Sequence, residues 1–305
     1  MMPSRISSGI KRGLLASGQY RRTLARGAFP GVAVLVYHGV LTDDAPVGAM
    51  PFENLHVRES TFEAHCRVIR DTCDPISLDD WRAASAGQAT LPPRPLLVTF
   101  DDGYRSVHRL AAPILAAFDL PAAVFVCTEA VVTRRLLWFD DVGARKGEAE
   151  VERWKTCDYE RWLTECSDTA PVGDDDPRAL MTSDEVAELG RSPLMEIGAH
   201  TARHPILARA NLERQREEIS ESVAALREWT GRPVRSFAYP NGRPGLDYTA
   251  ETPEILSEYG IDAAFTMQQS FARAGEPPLE RSRFLVVAAV TDAELAHRLA
   301  YTWPR

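Results

Sequence analysis

The sequence predicts an α/β protein built as a distorted (β/α) barrel of seven to eight strands. Two observations carry this expectation. Short apolar or β-branched runs recur eight times with helical stretches between them, the alternation a largely parallel sheet requires. The residues most capable of chemistry fall at the carboxyl ends of four of those runs, where the loops of a parallel barrel converge.

Residues 1–31 read as a basic extension ahead of a barrel domain spanning 32–305. The extension carries Arg5, Lys11, Arg12, Arg21, Arg22 and Arg26 among Ile6, Ile10, Leu14, Leu15 and Leu24. Its bland reading is a flexible or packed segment; the sharper one is a basic amphipathic helix making peripheral contact with an anionic membrane surface. It holds no apolar run of signal-peptide length, which leads us to expect a cytoplasmic protein, with the inner membrane surface as its point of contact. No run of about 18 apolar residues exists to cross a bilayer.

The barrel opens on VAVLVYHGV (32–40) and continues through PISL (75–78), LLVTF (96–100), AAVFVC (122–127), LMEIGA (194–199), RSFAYP (235–240), DAAFTM (262–267) and RFLVV (283–287). Helices are expected over 61–73, 106–118, 212–230, 251–260 and 291–301. In the long one, Leu212, Ile219, Val223, Leu226 and Trp229 form an apolar stripe that suits an outer helix packed on the sheet. The connection at about 128–193 is long for a compact domain, so it should pass over a site or carry helices of its own. Within it GDDDP (173–177) lacks the ligand spacing of a calcium loop and reads as a solvated turn.

Composition narrows the function. The 305 residues are 45% hydrophobic and 26% charged, as in ordinary globular proteins. A formal net charge of -8 argues against nucleic acid as a partner, since that ligand attracts clustered Lys and Arg. Five cysteines, an odd number with no CxxC pair, speak against a disulfide framework and a cysteine zinc site.

The chemistry then rests on few residues. Tyr37 and His38 end the first strand, Asp101 and Asp102 the third, His200 the fifth with His204 just beyond, and Tyr239 to Gly242 the sixth. Two imidazoles four apart on a helical turn aim at one point, and Thr201 stands where the zincin pattern needs its glutamate. One carboxylate added to two neutral imidazoles makes a common set for a divalent metal with open positions. A second carboxylate beside the metal can take a proton from water, and the cation offsets the repulsion within the pair. That set predicts a metal-dependent hydrolase; a non-haem iron oxygenase uses a similar triad but lacks the adjacent aspartate.

TFDDG (99–103), HTARHP (200–205) and FAYPNG (237–242), in this order and at these spacings, resemble the polysaccharide deacetylases of carbohydrate esterase family 4, the NodB-homology domain. YHGV (37–40), SLDDW and LPPRPLLVTFDDGY look like the branch related to biofilm and exopolysaccharide deacetylases. The resemblance, over about residues 32–290, implies a NodB-type barrel, a divalent metal (zinc) and an N-acetylated glycan, either a polysaccharide or a lipid-linked precursor, as substrate. It also implies Asp101 as general base, Asp102, His200 and His204 as metal ligands, and the Asn241 backbone N–H as a donor to the oxyanion. Tyr239 and Arg283 complete the candidate substrate-facing set.

Two departures keep alternatives open. Ala238 stands where close relatives of chitin and peptidoglycan deacetylases place an arginine that fixes the base. Among Arg235, Arg243 and Arg283, we favour Arg283 to supply that charge because it starts the last strand. The late histidine that serves as general acid in many members is matched here only by His297, on an expected helix, so His38 becomes the candidate catalytic substitute. A deformylase, another C–N hydrolase, or a carbohydrate-binding protein without turnover therefore stay in view. Tyr104 and Trp138 suit either sugar stacking or packing. His56, His65 and His108 are assigned no role.

Overall fold

The computed structural model describes residues 6–166 and 168–303, and Arg5 of the basic extension lies outside them. In chain order the strands are β1 (Ala33–Tyr37), β2 (Val40–Leu41), β3 (Val57–Arg58), β4 (Asp74–Pro75), β5 (Pro95–Phe100), β6 (Ala122–Val126), β7 (Met195–Ala199), β8 (Ser236–Ala238), β9 (Ala263–Phe265) and β10 (Phe284–Leu285). The helices are α1 (Ser8–Ala16), α2 (Gln19–Leu24), α3 (Glu59–Thr72), α4 (Leu78–Ser85), α5 (Ala112–Ala117), α6 (Thr128–Thr133), α7 (Trp138–Lys146), α8 (Glu148–Trp154), α9 (Tyr159–Cys166), α10 (Ser183–Arg191), α11 (Leu212–Thr230), α12 (Thr252–Glu258) and α13 (Asp292–His297).

Seven strands form one curled parallel sheet in the order β10-β1-β5-β6-β7-β8-β9, and β4 pairs with the start of β5. The edge strands β9 and β10 meet through irregular backbone bonds, Thr266 N to Arg281 O at 2.8 Å and Arg283 N to Gln268 O at 3.0 Å. This is the expected distorted barrel. Each of the eight expected runs overlaps a strand: most are trimmed, β5 starts one residue earlier at Pro95, β4 shares only Pro75 with 75–78 because Leu78 begins α4, and 32–40 breaks into β1 and β2 at His38-Gly39.

The strands read as unbroken apolar runs because helices cover one face while the barrel interior fills the other. Alternation divides each strand between the two. Leu96, Val98 and Phe100 of β5 face the helices, and Leu97 lies inside with Val34, Ala123, Phe125, Ala238 and Phe265. Gly198 on β7 makes room for this packing, since a Cβ there would lie 2.5 Å from the Phe125 ring. Around the sheet, α11 starts on the Asn211 cap and stops at Gly231 in a left-handed turn, burying Ile219, Val223 and Leu226. Capping boxes start α4 at Ser77/Asp80 and α10 at Thr182/Glu185.

The connection at 128–193 carries α6 to α10. Trp138, Val151, Trp154, Tyr159 and Trp162 give it a small core of its own. The N-terminal extension is helical and packed: Tyr20 and Leu24 are buried, Lys11 pairs with Glu294, and Tyr20 meets the His297 ring through its hydroxyl at 3.2 Å. His297 is thereby a packing residue on α13. Arg12, Arg21 and Arg22 on these helices and Arg26 just after them remain exposed, and no described helix is long and apolar enough to cross a membrane.

Candidate active site

Strand parity delivers the site. Asp101 extends the interior row of β5 after Leu97 and Thr99, and its N–H continues the ladder to Tyr37 O at 3.0 Å. His200 extends the interior row of β7 and donates to Val126 O at 3.2 Å. Asp102 would point outward by alternation, but its backbone turns at φ 72. The following Gly103 sits against Val126, where a Cβ would come within 2.9 Å. Both carboxylates thus lie buried at the mouth of the barrel, 3% and 2% exposed.

Arg283, fully buried one residue before β10, grips Asp101 with a two-pronged pair, Nη1 to Oδ1 at 2.7 Å and Nη2 to Oδ2 at 2.8 Å. Such a fork fixes a carboxylate in orientation as well as charge. The other two arginines considered are paired with other carboxylates: Arg243, on the cavity wall, binds Asp247, and Arg235 binds Asp262. Burial works against ionising Asp101, but Arg283 and His200 outweigh it and hold the carboxyl below its ordinary range.

Asp102 Oδ1 is 3.4 Å from His200 Nε2 and 3.5 Å from His204 Nε2, too long for good hydrogen bonds, and it has no hydrogen-bond partner. Ligands held about 2.1 Å from one tetrahedral ion stand about 3.4 Å apart, so the two separations measured from Asp102 each fit a divalent cation held between that carboxylate and a histidine. His200 donates from Nδ1 to Ala238 O at 2.7 Å, leaving Nε2 with its lone pair. Burial lowers the His200 pKa, while Asp102 and Asp101 beside it more than reverse that. Burial and His200 push His204 down to about 3, keeping that imidazole neutral. The ligand atoms of Asp102 and His200 and Cys127 Sγ lie within 4.8 Å of one another, a group that does not include His204. Burial drives the Cys127 thiol far above the usual range, and Sγ donates to His200 O at 3.3 Å, which disfavours it as a ligand.

His200 and His204 are not on a helical turn as the spacing suggested. They bracket an irregular loop in which Thr201 (φ 66) and His204 (φ 60) are left-handed, with Thr201 Oγ1 accepting from His204 N at 2.9 Å. The third motif ends in another such residue, Asn241 (φ 57), whose N–H makes no hydrogen bond to the described residues.

Asp101, Asp102, His200, His204 and Asn241 line a cavity of about 400 Å³ together with His38, Phe52, His56, Tyr104, Phe139 and Tyr239, whereas Arg283, expected to face the substrate, is fully buried behind Asp101 and does not line it. His38 Nδ1 is buried without a partner. Tyr239 presents a ring stacked on Tyr248 at 3.9 Å and commits its hydroxyl to Leu279 O. The aromatic candidates for sugar stacking turn out to be packed. Tyr104 is 1% exposed with its hydroxyl on Asp140, and Trp138 is 3% exposed with Nε1 on His204 O. Phe52 and Phe139 of the cavity wall were not singled out in the sequence.

His56 corrects the sequence reading, which gave it no role. It arrives from a short turn before β3, packs edge-on against Tyr104 at 4.9 Å and faces the cavity. Gly39 was its one sequence signal, because a Cβ there would lie 2.5 Å from His56 Nδ1. His65 holds Tyr37 OH and Val290 O, and His108 pairs with Glu188, both away from the cavity.

A family model described as polysaccharide deacetylase matches residues 88–264. Among curated proteins, the poly-β-1,6-N-acetyl-D-glucosamine N-deacetylase of Escherichia coli K12 is 28% identical over 252 residues, covering 73% of this chain and 32% of that protein. The chain therefore spans about a third of that relative's length. Among solved structures, the deacetylase PplD of Streptococcus pyogenes in complex with acetate superposes with TM-score 0.67 at 19% identity, covering 90% of this chain and 99% of that one. IcaB from Ammonifex degensii gives 0.63 at 24% identity, covering 90% and 98%. The BpsB deacetylase domain from Bordetella bronchiseptica gives 0.60 at 24%, covering 84% and 96%. At these identities the structures speak to the fold alone.

Proposed function

The chain belongs to the polysaccharide deacetylase family, and from that premise we propose that it hydrolyses the N-acetyl group of an amino sugar in a glycan, with poly-β-1,6-N-acetylglucosamine as the first substrate to test. One observation carries the reading: an ion-paired, buried Asp101 stands beside the Asp102–His200–His204 cluster at one mouth of a cavity large enough for a sugar.

Asp102, His200 and His204 would hold a divalent metal, zinc by the family resemblance. When bound, such an ion polarises the acetamido carbonyl and makes water a better nucleophile. Asp101, kept ionised and aimed by Arg283, takes one proton from the attacking water. The unpaired N–H of Asn241 is placed to donate to the oxyanion that forms as the carbonyl carbon becomes tetrahedral. His38, with a ring nitrogen lacking any partner, is the group we assign to return a proton to the departing amine. The C–N bond then breaks, water's oxygen leaves in acetate, and the sugar keeps a free amine. Ground for a different acyl group lay in the missing arginine of the third motif and the missing late histidine; Arg283, just ahead of β10, pairs with Asp101 and answers the first of these.

Asp101→Asn should abolish acetate release from an N-acetylglucosamine oligomer while the zinc content found by elemental analysis stays at the wild-type level. Undiminished acetate release would overturn the assignment.

A further inference from the structure

The loop that carries His200 and His204 is held in a costly conformation from outside. Two of its residues without a glycine's freedom, Thr201 and His204, sit in the left-handed region, and such backbone persists where neighbours over-determine it. The neighbour is Glu218 on α11, a carboxylate with no solvent exposure. Its Oε2 accepts from Ala202 N at 3.1 Å and Arg203 N at 2.9 Å, the two N–H groups midway between the histidines. Its Oε1 accepts from the Arg203 guanidinium at 3.0 Å and from Tyr159 OH at 2.6 Å. Both oxygens are thus doubly bonded, which locks the carboxylate as firmly as the loop it holds.

Tyr159 belongs to α9, inside the connection at 128–193. That same insertion grips the loop a second time, where Trp138 of α7 donates to His204 O at 2.9 Å and the Phe139 ring meets the His204 ring edge-on at 4.9 Å. We infer that Glu218 is a positioning residue which, braced by Tyr159, ties the inserted helices to the His200–His204 loop and thereby sets the affinity of that loop for a divalent metal. The inference rests on the metal-site reading above. Outer partners that orient ligands commonly change metal affinity by about 10–100-fold when removed.

Zinc affinity of the full chain, measured by competition with a chromophoric chelator, tests it. Glu218→Gln should bind zinc about 10–100-fold more weakly than wild type, and Tyr159→Phe, which keeps the carboxylate and loses one bond, about 3–10-fold more weakly. Glu221→Gln is the charge control: Glu221 is 2.8 Å from the same Arg203 guanidinium, but its side chain is 51% exposed and makes no bond to the loop backbone. It should stay within about twofold, because a solvated partner orients nothing. Wild-type affinity retained in folded Glu218→Gln, or in Tyr159→Phe should the first variant fail to fold, would overturn the inference. A fall in Glu221→Gln as large as in Glu218→Gln would overturn it too, by reducing the effect to charge. A wild-type chain that binds no zinc would instead defeat the metal-site reading itself.

Discussion

Asp101 and Arg283 form a pair in which each needs the other. A buried carboxylate without a counter-charge drifts toward the neutral acid, and a protonated Asp101 cannot act as a base. Arg283→Met keeps the length of the side chain and removes the charge. In that variant burial acts on Asp101 with less to oppose it, so its pKa rises, and protonation silences the base at a higher pH than in the wild type. The acid limb of the kcat/KM profile should therefore move upward in pH, and the rate at neutral pH should fall by roughly 10²–10³-fold. An acid limb that stays in place would mean that something other than Arg283 keeps Asp101 ionised. Arg283→Lys should recover little of the loss, since an ammonium cannot reproduce the two parallel bonds. This pair was accessible from the sequence because Arg283 leads into the last apolar run and Ala238 left a charge to be found. His56 was not: it ends no strand, no spacing rule reaches a residue brought in by a turn, and Gly39 signals a close approach without naming the neighbour.

Strands and helices differ in how far the sequence exposes them. AVLVY, PLLVTF and AAVFV are buried at every position, so a short unbroken apolar run bounded by turns identifies them. The helices of the insertion run six to nine residues, too few turns for a periodic stripe to stand out. Three of them, α7, α8 and α9, also pack locally around three tryptophans, so nothing in the barrel pattern announces those. The His200–His204 loop misled in a different way, since a spacing of four suits a helix and equally a turn stapled by Thr201 and Glu218. Within α3, His65 offers a test of how one element is tied to its neighbours. It bonds Tyr37 OH at 3.2 Å and Val290 O at 2.9 Å, joining the helix to β1 and to the segment before α13. Burial lowers its pKa to about 4. The unfolded chain takes up that proton near pH 6.5 while the folded chain refuses it until about pH 4, so between the two the unfolded state binds more protons. Stability should fall by about 2–3 kcal/mol from this group as the pH drops through that window. Urea titrations at a series of pH values should show His65→Gln with a shallower slope than wild type; equal slopes would assign the dependence to other groups.

At the scale of the whole molecule, the first and last described helices close on each other beside the edge of the sheet. β10 is the last strand and pairs with β1, and α13 lies against α1 and α3. Tyr20 sits at this junction with no exposed surface, its ring edge-on to His297 at 5.7 Å and to Tyr301 at 6.0 Å. The sequence allowed a flexible tail, a packed segment or a membrane-facing helix here, because six basic residues and a few leucines fit all three. Packing decides where the leucines go: Leu24 is in the core and Leu14 and Leu15 rest against it. If α1 and α2 fold as one unit with the barrel, Tyr20→Ala leaves a cavity at the junction and should cost about 3–5 kcal/mol of global stability, as buried aromatic truncations do. If they fold separately, the global transition should move by less than about 1 kcal/mol, the range of substitutions outside a shared core. Urea denaturation followed by a probe of the barrel distinguishes the two. Tyr20 does not line the catalytic cavity, so turnover per folded molecule should match wild type even where the stability loss is large.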